Sequence, residues 1–107
     1  MNPYVTVLLL AGGVLLTLGD IVFKYYAGHH NVYLYGLGLL LYIAGLVPLI
    51  ESYKFTNIEV ASALLVLFNI AILTVAGWLL FKEKISALEL VGLAFAAAAI
   101  VLLELGG

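Results

Sequence analysis

Asp20 and Lys24 stand four residues apart at the tail of an otherwise apolar run, LLTLGDIVFKYY. A carboxylate inside hydrocarbon is driven toward its neutral form, whereas a lysine one helical turn away favours the ion if the two touch. Such a pair has two uses. It can be a proton or cation site exposed in turn to the two sides of a membrane, or an ion pair that snorkels to the headgroups and fixes the depth of its helix. Two further polar groups raise the same question. Glu59 opens another apolar run, where a carboxylate also complements the helix dipole, and Asn69 falls near the middle of that run, where an amide needs a partner.

Helical spacing collects these groups. At 100° per residue, Thr6, Leu9, Gly13, Leu16, Thr17, Asp20 and Lys24 lie within about 60° of Asp20 on the first helix. The same count puts Glu59, Ser62, Val66, Asn69, Leu73 and Gly77 on one face of the third. Lipid cannot solvate Asp, Glu or Asn, so both faces are expected to point at protein or a wet cavity. In the second helix Tyr35 and Tyr42 are seven apart, as are Gly38 and Gly45. The glycines suggest close helix contact. The tyrosines suit either a cavity for an organic or amphipathic cation or packing against a neighbouring helix.

The elements that carry these residues follow from composition. The 107 residues are 66% hydrophobic and 9% charged, with a mean hydropathy of +1.28. A water-soluble domain of this length needs more polar residues to coat it. Apolar runs over residues 3–26, 32–50, 58–81 and 87–105 each approach the roughly 20 residues that span a bilayer. The expected fold is an all-α integral membrane bundle of four transmembrane helices, one domain over 1–107. The first run has no basic region before it and reads as a retained span rather than a cleaved signal. Asn57 is the expected N-cap of the third helix, and Ser86 with Glu89 has capping-box spacing for the fourth. The short loops leave no room for a lid, so function must lie within the bundle or at its rims.

Four spans put both termini on one side. Lys24, Lys82 and Lys84 then mark one membrane face, and Lys54 with the N-terminal amine the other. The positive-inside rule puts the first and third loops in the cytoplasm of a cell membrane, but a three-to-one bias specifies orientation weakly and allows dual topology. Glu51, Glu83, Glu89 and Glu104 read as rim charges, and Tyr4, Tyr53, Trp78 and Phe81 as interfacial aromatics. The fourth helix, with an alanine-rich centre, is the expected dimer contact.

Several chemistries find no support. The net charge of −2, without a basic patch, gives no footprint for nucleic acid. With no cysteine there is no thiolate chemistry. His29 and His30 are adjacent on a turn without a third ligand at useful spacing, so no metal or other cofactor is expected. No nucleophile–base pair marks an enzyme.

The opening MNPY, the element LGDIVFKYYAG and the stretch from ESYKFTN through VLLE resemble the drug/metabolite transporter superfamily, and more closely its small multidrug resistance type. Trp78, FKEKIS and Gly92 are also similar to the last repeat half of the EamA-type carriers. The resemblance implies a dimerising bundle, often antiparallel, that transports by alternating access. In the small multidrug resistance type an essential first-helix glutamate exchanges protons for cationic substrates. Matching through Gly19 and Lys24 places that position at Leu16, and Asp20 lies one turn further along the same face. The family's substrate-contacting aromatic of the third helix falls at Ser62. Other small relatives are associated with lipid-linked precursors, guanidinium or polyamines.

The expected function is therefore a small transporter, working as a homodimer in the lipid bilayer. It would move a small cationic or amphipathic organic substrate, with proton coupling through Asp20. Candidate binding residues are Asp20, Glu59, Asn69, Ser62, Tyr42, Leu16 and Lys24. The alternatives are an accessory subunit of a heteromeric carrier or lipid-linked precursor flippase, and a small channel. In an antiparallel pair, Asp20 of one copy and Glu59 of the other would come within about 7–8 Å in height.

Overall fold

A computed structural model describes residues 2–106; the N-terminal amine at Met1 and the final Gly107 lie outside the described residues. It contains four helices, α1 (Pro3–His29), α2 (Val32–Ser52), α3 (Ile58–Leu80) and α4 (Ala87–Gly106). Each is long and apolar enough to cross a membrane.

Local chemistry sets the helix ends. Asn2 accepts the Tyr4 N–H at 2.9 Å, and Pro3 enters the first turn, where a missing N–H costs nothing. α1 runs three residues beyond the expected 26, because Ala27, Gly28 and His29 remain helical until His30 turns left-handed (φ 54°) and donates its N–H to the Tyr26 carbonyl. Asn31 then caps α2 by accepting the Tyr33 N–H at 2.9 Å. α2 continues through Pro48 to Ser52, two residues past the expected end. Asn57 stands at the N-cap of α3 in extended backbone, but its side chain makes no capping bond. Ser86 does cap, accepting the Glu89 N–H at 3.2 Å.

α1 is the central helix, packed on α2 and α3, while α4 packs mainly on α3. The bundle is flattened, 42 × 33 × 17 Å. Tyr4 meets Phe55 of the second loop edge-on at 5.5 Å, and Tyr25 meets Phe81 at 5.4 Å. These contacts place the first and third loops at one end and the second loop at the other.

The α1–α2 crossing depends on glycine. A Cβ at Gly12 would stand 2.9 Å from the Gly45 carbonyl oxygen, and one at Gly19 would stand 3.2 Å from that of Gly38. The two heptad-spaced pairs thus meet in antiparallel register, backbone to backbone, as close approach in lipid requires.

The dry core lies between α1 and α3 and is confined to the second-loop half. It comprises Val5, Leu9 and Leu16 from α1 with Ala61, Leu64, Leu65 and Phe68 from α3. Every buried residue of α3 precedes Asn69, and α1 has none after Gly19. Among the described residues of α4 none is buried. The α1–α3 seam is therefore shut at the second-loop end and open at the other.

Candidate functional site

The open end of the seam forms a cleft of about 240 Å³. α1 contributes Asp20, Ile21 and Lys24, α3 contributes Leu73 and Gly77, and Phe81 and Glu83 follow from the turn after α3. Asp20 is half-buried. Its Oδ1 accepts the hydroxyl of Tyr42 from α2. The Tyr42 ring is fixed by Phe23 at 5.4 Å, and Phe23 also meets Tyr35 at 6.1 Å, so an aromatic wall joins α1 to α2. Gly19 is what lets this happen, because a Cβ there would collide with the Tyr42 ring at 2.5 Å.

Lys24 does not pair with Asp20. Its ammonium lies 3.9 Å from Glu83, with both side chains more than half exposed. The i,i+4 ion pair that the sequence allows is thus absent. Tyr42 supplies Asp20 with a neutral donor, and Lys24 is drawn across to the end of α3. An exposed pair of this kind contributes little to stability.

One turn below Asp20 and Leu73, α1 and α3 make a polar contact. The Thr17 hydroxyl, 3% exposed, lies 2.9 Å from the Asn69 side-chain oxygen and 2.9 Å from the Gly13 carbonyl of its own helix. One proton serves two acceptors. Asn69 therefore joins α1 to α3 at the level where the core ends.

The remaining predicted residues disperse. Leu16, at the position of the family's glutamate, is buried in the core 7% exposed, so it does not face the cleft. Ser62 lies toward the second-loop end, its hydroxyl 3.0 Å from the Tyr53 hydroxyl. Glu59 is exposed and lines a separate groove of about 450 Å³ with Val60, Ala63 and Leu103. The α3 polar stripe is thus divided: its later members Leu73 and Gly77 face the Asp20 cleft, and Glu59 faces α4. Among the described residues no group of three metal-ligating side chains occurs.

Sequence reasoning gave Thr17 a place on the polar face but no partner, and it treated Glu83 and Glu104 as rim charges. Glu104 instead accepts the Thr6 hydroxyl at 2.8 Å, tying the end of α4 to the start of α1. Glu83 turns back over the end of α3. The signal for Thr17 was available: Thr17 and Asn69 each sit on a polar stripe of helices that run parallel. Nothing in the sequence distinguishes Glu83 from its neighbours Lys82 and Lys84.

Four spanning-capable helices mark a multi-pass membrane protein. A family model described as Small Multidrug Resistance protein matches residues 3–96. The chain belongs to the small multidrug resistance family, whose members are membrane transporters rather than enzymes and typically function as oligomers. No curated protein matches the chain.

Proposed function

We propose that this protein is a homodimeric carrier of the cell membrane, its whole chain acting as one transmembrane unit. It moves a small cationic or amphipathic organic substrate by alternating access, with proton coupling at Asp20. The observation that carries this reading is the Asp20 carboxylate, held by Tyr42 at the wall of a cleft that is open at one end and closed at the other.

The Asp20 carboxylate can be neutralised by a proton or by a cation, and each excludes the other. That competition is the elementary step of exchange. Tyr42 holds the carboxylate, and the Phe81 ring in the cleft lining offers a face to an organic cation. The shut seam below Thr17 and Asn69 keeps the site from opening to both sides at once. Leu16 is not a coupling group in this reading; Asp20, a helical turn further along α1, fills that role.

A dimer supplies what one copy lacks. The exposed Glu59 needs protein or water beside it in a membrane. Antiparallel pairing brings Glu59 of a second copy near the height of Asp20 and closes a shared chamber around Ser62 and Asn69. The alternative of an accessory subunit predicts assembly without independent flux.

Proteoliposomes containing only this chain test the reading. A pH gradient should drive uptake of benzyltrimethylammonium, and Asp20→Asn should abolish it while the dimer persists. Equal gradient-driven uptake by wild type and D20N would refute the assignment.

A further inference from the structure

Glu83 is positioned more deliberately than a rim charge requires. Lys82 adopts a left-handed backbone (φ 53°), and the N–H groups of Phe81 and Glu83 both return to the Gly77 carbonyl, at 3.0 and 3.3 Å. This helix-ending turn swings the Glu83 side chain back over α3. It lands on Gly77, where a Cβ would meet its Oε2 at 3.6 Å.

There the carboxylate contributes to the walls of two adjoining clefts. One is the Asp20 cleft. The other, also about 240 Å³, lies between the end of α3, the third loop and α4, and contains Trp78, Lys84 and Glu89. Leu73, Gly77 and Glu83 line both. The second cleft holds two carboxylates, Glu83 and Glu89, against the one ammonium of Lys84. The Lys24 ammonium already sits 3.9 Å from Glu83, a loose and exposed contact that an arriving cation could displace.

We propose that Glu83 is the centre of a second, outer cation site, in series with Asp20. An organic ammonium or guanidinium ion would take the place of the Lys24 ammonium there and lay its apolar portion against the Trp78 ring. The choice of ligand follows from the wall: a carboxylate with an indole beside it suits an organic cation better than a bare metal ion. The idea builds on the transport reading at Asp20, but the outer site binds whether or not Asp20 couples to protons.

Trp78 is the chain's one tryptophan, so its emission reports on this cleft. The test titrates purified full-length protein in lipid nanodiscs with benzyltrimethylammonium chloride, with neopentylbenzene as the uncharged isostere. The expected result is a saturable change in Trp78 emission with the cation only. Glu83→Gln should raise the dissociation constant up to about fivefold, the cost of losing one exposed charge partner. Lys24→Gln should lower it, because the competing ammonium is gone, and this exposed variant keeps the test intact if E83Q folds poorly. An equal response to neopentylbenzene, or unchanged affinity in both E83Q and K24Q, would overturn the outer site.

Discussion

The Thr17 hydroxyl and the Asn69 side-chain oxygen meet at 2.9 Å where the dry seam between α1 and α3 ends and the Asp20 cleft begins. Below this bond Leu16 and Phe68 are buried; above it Asp20, Leu73 and Gly77 line open space. The hydroxyl proton can serve Asn69 or the Gly13 carbonyl, so the contact can break without leaving Thr17 unsatisfied. This relationship predicts a modest, coupled energetic term. Thr17→Val and Asn69→Ala should each destabilise the fold by about 1 kcal/mol, and the double variant should cost less than their sum. Reversible unfolding in mixed micelles measures the cycle; strict additivity would show that the two groups do not interact.

The glycine crossing predicts a position-specific packing penalty. Gly12→Val would push a side chain into the Gly45 carbonyl and the Leu65 methyl, at 2.9 and 2.8 Å from its Cβ. The expected loss is about 1–3 kcal/mol. Gly92→Val, where no atom lies within 4 Å, should change monomer stability far less. The same unfolding assay compares them.

Leu16 offers a sharper test of where the carboxylate belongs. Leu16→Glu would restore the family's residue type, but at a site 7% exposed and packed in the apolar core. It would place an unpaired acid in the apolar cluster, against Gly45 of α2, rather than in the cleft. The double variant L16E/D20N should therefore fail to recover gradient-driven flux, and L16E alone should destabilise by about 3 kcal/mol or more. Recovery of flux would show that the two positions are equivalent.

Tyr42 should act through Asp20. Tyr42→Phe keeps the ring between Phe23 and α1 but removes the hydroxyl that donates to the carboxylate. The hydroxyl favours the charged carboxylate over the neutral acid, so cation affinity should fall while folding is retained. The pH profile of cation binding is the decisive readout, since a purely packing role for the ring would leave it unchanged.

Much of this arrangement could be read from the chain, for identifiable reasons. Bilayer thickness enforces long apolar runs, so four helices follow from hydropathy, and their ends differ by one to three residues, as where Ala27 and Glu51 stay helical. Period counting placed Thr17, Asp20 and Gly13 on one face because the helix itself is regular. The heptad spacing of Gly38 and Gly45 marked a close crossing. What escaped was the choice of partner. Asp20 had a lysine one turn away, and spacing alone could not show that Tyr42 would reach it first. Glu83 depends on a left-handed Lys82, a residue type with no preference for that conformation. Glu59 shares a stripe with Asn69, yet it lines a groove with Leu103 of α4 while Leu73 and Gly77 line the Asp20 cleft, and periodicity carries no information about which neighbour a face meets.

One measurement tests the central claim most directly: proton release from the purified protein in weakly buffered solution on adding benzyltrimethylammonium. If Asp20 holds either a proton or the cation, wild type releases protons as the cation binds, and Asp20→Asn releases none. Cation binding without proton release in wild type, or the same release in D20N, would contradict the account.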